Sequence, residues 1–93
     1  MTNLTTYQYN LIDDVFKRPM FYAISDSSRL IESLNYADQV LKDEASQSVI
    51  NDLRDRLKSC DGAVDATMIV ESEIDKFKDL LLRVYEHRNN AKD

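Results

Sequence analysis

A chain of 93 residues with one glycine, one proline and no tryptophan makes one domain at most, too poor in turn formers for a sandwich or barrel, which needs them about every eight to twelve positions. A formal net charge of −5 leaves no basic face for a phosphate backbone, so direct nucleic-acid binding is not expected. No apolar run nears the roughly 20 residues of a membrane span, the single cysteine excludes an internal disulfide, and Met1 to Asn10 lack the features of a signal peptide, so the expected location is the cytoplasm.

Residues 1–25 read as an aromatic arm. Thr5 to Tyr9 suits either an extended segment or a helix start. Leu11, Ile12, Val15 and Phe16 have the spacing of a short helix, which should stop near Arg18 because proline disfavours helical geometry in the residue before it. Met20 to Ile24, bounded by Pro19 and Ser25, is too short to show a period and is expected to lie extended across the rest. Tyr7, Tyr9, Phe16, Phe21 and Tyr22, five of the eight aromatics, fall in this arm around Lys17 and Arg18.

Residues 26–89 read as the bundle. Leu30, Leu34, Ala37 and Leu41 mark one stripe, with Asp26, Ser27 and Ser28 available as caps for a helix over 27–43. Val49, Ile50, Leu53, Leu57 and Cys60 mark another over 46–60. Ile50 lies 20 positions beyond Leu30, a rotation of about 200° at helical period, so a continuous helix would turn its apolar face away halfway along. A break within 42–48 is predicted, with Asp43 and Ser46 as caps; a single long helix would suit only an oligomer. Gly62 is placed to close the second helix in the left-handed conformation and to make Cys60-Asp61-Gly62 a tight connection. Val70, Ile74, Phe77, Leu81, Val84 and Tyr85 predict one helix over 65–88 with Asp65 as N-cap, packed antiparallel on the helix of Leu53 and Leu57. Residues 90–93 remain as a tail. The expected fold is all-α: a small antiparallel bundle of three main helices, a short N-terminal helix and an extended arm.

No catalytic constellation can be assembled. His87 is the only histidine, and it sits at a helix end where a cation suits the dipole. Cys60 lies on an apolar stripe, where free cysteine packs as a small hydrophobe. One cysteine and one histidine cannot furnish a structural zinc site, and a single glycine cannot build a phosphate loop. No cofactor and no enzymatic activity are expected.

Contact with another macromolecule is the function these features point to. Tyrosine and arginine are the usual energetic anchors of protein interfaces, so Tyr7, Tyr9, Lys17, Arg18, Phe21 and Tyr22 are the first candidate partner-binding set. Tyr36, Val40, Met68 and Leu82 fall outside the main stripes and predict self-association into a homo-oligomer. Asp61, Asp65, Glu71, Glu73 and Asp75 form an alternative acidic face for a basic target, since no lysine or arginine interrupts them before Lys76. The expected role is a non-enzymatic inhibitor or regulator that occupies a surface of a protein partner, with the economy of small accessory proteins from phages or mobile elements. Two alternatives are an oligomeric binder of a small charged ligand such as a nucleotide, and a structural or chaperone-like subunit of a larger assembly.

Overall fold

The computed structural model describes residues 4–91. Among them are six helices and no strand: α1 (Thr6–Lys17), α2 (Pro19–Ser25), α3 (Ser28–Val40), α4 (Glu44–Lys58), α5 (Ala63–Ser72) and α6 (Ile74–Ala91). The fold is all-α as expected, but the division into helices differs at two places. Residues 1–3 of the expected arm and 92–93 of the expected tail lie outside the described residues, and Asn90 continues α6.

α1 begins on a reciprocal cap. The Gln8 amide donates to Thr5 Oγ1 at 3.1 Å and the Thr5 amide donates to Gln8 Oε1 at 2.8 Å, so two amides that the helix cannot serve are both satisfied. The helix ends at Arg18, and Pro19 opens α2 rather than an extended arm. Proline at the first helical position gives up an amide that has no intrahelical partner anyway, and its fixed φ already suits a helix. The run Met20 to Ile24 is therefore helical, a correction to the sequence expectation.

The break between α3 and α4 covers residues 41–43, at the leading edge of the predicted 42–48, and Ser46 lies inside α4 rather than capping it. Asp43 caps α4, its carboxylate accepting from the Ser46 amide at 3.0 Å, and the Gln47 side chain donates to the Leu41 carbonyl at 2.7 Å, serving an acceptor that α3 leaves open. With the break in place both Leu41 and Ile50 are buried. At the start of α3, by contrast, Ser27 makes no side-chain cap, and Ser28 Oγ donates to the Asp26 carboxylate at 2.5 Å instead.

Gly62 does different work from that expected. Ser59 terminates α4, whereas Gly62 is the N-cap of α5 at φ 100° and ψ −179°, a backbone region open almost solely to glycine. Asp65 lies in the first turn of α5 and accepts from the Asp61 amide at 3.1 Å; it is not the cap.

The predicted 65–88 helix is interrupted at Glu73, without glycine or proline. The Glu73 amide still donates to the Ile69 and Val70 carbonyls at 3.0 and 3.1 Å, and its own carbonyl accepts from Lys76 at 3.0 Å. Its carboxylate is gripped by Lys76 at 2.7 Å and Arg56 at 3.8 Å. The bend has a packing cause. α5 lies mainly along α2, each contributing a buried alanine (Ala66 and Ala23), while α6 lies along α1. A straight helix could not cover both.

α1 and α6 run antiparallel: Phe16 meets Phe77 edge to face with ring centroids 5.6 Å apart, Tyr85 donates to Asp13, and Arg88 stacks on Tyr9 at 4.7 Å. α3 and α4 are also antiparallel, tied by Arg54 to Asn35 at 2.8 Å and Asp38 at 3.3 Å. The expected α4–α6 pairing is correct in direction but not in closeness. Arg83 reaches Asp43 and Ser46 at 3.4 and 2.7 Å and Lys76 reaches Asp52 at 3.5 Å, whereas the α4 backbone lies closest to α3. Leu53, Leu57, Phe77 and Leu81 all enter the common core. No helix among the described residues is long and apolar enough to cross a membrane.

Candidate interaction surface

The residues expected to act together from the N-terminal arm are dispersed by the two helices that replace it. Tyr9 is buried in the core beneath Arg88, because α1 turns it toward α6, so it is not a surface anchor. Tyr7 is exposed and sits beside Arg29, whose guanidinium donates to its hydroxyl at 3.5 Å. The cations are already engaged: Lys17 lies 3.3 Å from Asp13 and Arg18 2.9 Å from Asp14. Tyr22 is half-buried and donates to Asp14. The hydrogen bond from Tyr22, then that from Arg18, lowers the pKa of Asp14, and the same bond raises that of Tyr22. Asp13 and Asp14, adjacent on α1, thus pin α6 and α2 respectively. Phe21 alone of the set offers an exposed apolar ring, with Arg18 stacked on it at 5.0 Å.

The four residues assigned to self-association do not share a surface either. Val40 is buried, and Tyr36 is half-buried and donates to Glu32 at 2.6 Å. Leu82 projects into a groove of about 650 Å³ between the end of α3 and α6, lined also by Val40, Arg83 and His87. His87 is half-buried there, not an exposed terminal residue, and its Nε2 finds no hydrogen-bond partner among the described residues. Met68 is on α5, apart from this groove.

Three exposed apolar side chains do converge where α2 meets α5, with a fourth on α2 itself. Ile24, Val64 and Met68 are 65%, 73% and 66% exposed, and Phe21, one turn before Ile24, is 53% exposed. Ile24, Val64 and Met68 line one depression of about 310 Å³ with Ala63 and Thr67. Met68 also lines a second, of about 510 Å³, with Cys60, Ile69, Asp55, Arg56, Ser59 and Asp65, so the two depressions meet at that methionine. Burial, then the Asp65 charge, pushes the Cys60 thiol pKa up, which keeps it in the neutral form and disfavours nucleophilic chemistry. The surface arises because α5 turns Ala66 and Val70 into the fold, leaving Val64 and Met68, one turn apart, facing solvent beside Ile24.

The acidic residues flank this face unevenly. Asp61 and Asp65 lie at its α4–α5 end and Glu71 lies two turns beyond Val64 on the same helix; Asp75 is exposed at the start of α6. None of these four forms an ion pair among the described residues, nor does Asp55, whereas Glu73 is half-buried and paired. Met68, Phe21 and the carboxylates were legible as candidates. Ile24 and Val64 were not, because their exposure follows from which side of α2 and α5 the bundle covers.

Among the described residues no group of three or more histidine, cysteine or carboxylate side chains could hold a metal ion. What the fold and surface define is a small all-α domain with an exposed apolar face between two short helices. Comparison with protein-family models, with curated proteins and with solved structures finds no match for this chain.

Proposed function

We propose that the protein is a non-catalytic binding module that inhibits or regulates a protein partner by occupying its surface, and that the α2–α5 face makes the contact. The observation that carries this reading is the convergence of the exposed Ile24, Val64 and Met68 on one depression between two packed helices. Scattered exposed hydrophobes need no explanation, but a contiguous apolar patch with a polar rim is the mark of a binding surface. Methionine suits such a place, since its flexible thioether adapts to the shape presented to it.

The test is capture of the partner from the native host with three forms of the protein. The parent and Tyr7→Ala should retain the partner, while Val64→Ser plus Met68→Ser should lose it, with circular dichroism confirming the same helix content. Equal capture by the serine double variant and the parent would remove the α2–α5 face as the contact.

A further inference from the structure

We infer that the occupant of the α2–α5 face is a cationic amphipathic helix, one with an apolar stripe flanked by lysine or arginine. This rests on the reading of that face as the contact surface and adds the chemistry of what it takes.

The floor sets the apolar half of the match. Val64 and Met68 stand one turn apart on α5 and face Ile24 of α2 across the depression that the three share. A helix laid along such a trough offers side chains at the spacings i, i+3 and i+4. α5 has 10 residues, about 15 Å, so roughly three turns of a partner cover it.

The rim sets the charge. Asp55 and Asp65 line the depression that meets the face at Met68, Asp61 and Glu71 are exposed just before α5 and two turns beyond Val64, and none of the four has a cationic partner among the described residues. The nearby cations do not cancel them: Arg56 is engaged by Asp52 at 3.2 Å and by Glu73 at 3.8 Å, and Arg18, stacked on Phe21, by Asp14 at 2.9 Å, which leaves Lys58, exposed at the end of α4. Two other occupants are disfavoured by the same charges. A second copy pairing through this face would set identical carboxylates against one another, in a chain already at −5. An anionic bilayer would be repelled for the same reason. A partner with lysine or arginine beside its apolar stripe meets the floor and the rim together, and complementary rim charges chiefly speed encounter and select among partners.

Three labelled peptides of roughly 18 residues, five turns, test the inference. The first carries a leucine stripe with lysine at the flanking positions, the second the same stripe with glutamate, and the third the lysine composition with the stripe scrambled. Binding to the full chain is read by fluorescence anisotropy and by amide shifts. The lysine-flanked peptide should bind at least about tenfold more tightly than either of the others, shift amides of Phe21 to Ile24 and Ala63 to Glu71, and weaken as salt rises. Asp65→Lys plus Glu71→Lys should reverse the preference, and Val64→Ser plus Met68→Ser should remove binding. Equal binding of the lysine and glutamate peptides would overturn the charge selection while leaving the face as a docking surface. Shifts confined to another part of the molecule, or no binding by any peptide, would overturn the inference, as would a doubled mass that depends on Met68, which would make a second copy the occupant.

Discussion

Phe77 is fully buried with its ring against the edge of Phe16, so Phe77→Ala removes both apolar burial and a ring contact and leaves a cavity. A loss of about 3–5 kcal/mol is expected in a denaturant melt; a loss below about 1 kcal/mol would mean that the ring is not core. Gly62 is the opposite case. Nothing lies within 4 Å of where a Cβ would stand, so the cost of Gly62→Ala comes from the backbone alone, about 1–3 kcal/mol, and the same melt measures it. Asp14 answers to pH. Its pKa in the fold lies below the ordinary 3.8 because Tyr22, then Arg18, donates to its charged form. The unfolded chain therefore takes up the proton first, so the contribution is complete above pH 3.8 and fades as pH falls through the lower folded value. Asp43, lowered by the Ser46 amide it caps, fades in the same direction and window. Urea melts at stepped pH should show stability falling below pH 3.8, with a shallower slope in Asp14→Asn. Asp43 is exposed and Asp14 half-buried, so solvent screens both and the change is gradual.

The helices show which signals in a chain survive its tertiary context. Ala23 and Ala66, both buried where α2 lies along α5, allow two backbones to approach closely, and Ala66→Leu would force them apart. Overpacking of that kind costs about 1–3 kcal/mol and should also disturb amide shifts of Phe21 to Ile24 across the junction, while Met68→Ser on the solvent side should leave the melt nearly unchanged. α4 and the break before it were readable because the Asp43 cap and a phase change of about 200° say the same thing, and α3 because its apolar stripe is clean. α2 was not: Pro19 is compatible with ending one helix and with starting the next, and five apolar residues are too few to display a period. The bend at Glu73 was hidden for a different reason. Its sequence is compatible with a continuous helix, and only the demands of α2 on one side and α1 on the other divide it. The apolar floor followed the same logic, since Met68 announces itself as an outlier from the stripe, but Val64 and Ile24 become visible only once α2 covers α5.

At the scale of the whole molecule, charge and the apolar face oppose each other. With a net charge of −5 at pH 7 and an isoelectric point near 4.7, copies repel in neutral solution and cease to do so near the isoelectric point. Light scattering across a dilution series should give 10.8 kDa at pH 7 and a rising mass toward pH 4.7, with the rise diminished in Val64→Ser plus Met68→Ser. A stable dimer at pH 7 would mean that self-association, expected from Tyr36, Val40, Met68 and Leu82, outweighs the repulsion. The pairing of α1 with α6 has a consequence for biosynthesis. Asp13 and Tyr85, which join them, are 72 positions apart, so Ile12, Val15 and Phe16 leave the ribosome long before α6, which together with α3 packs against α1, exists. At about 5–20 residues per second the delay is roughly 4–14 s, far longer than a helix needs to form. During that interval α1 has only its contacts with α2 and α3, and the apolar side that α6 covers in the finished fold stays open to water until α6 emerges.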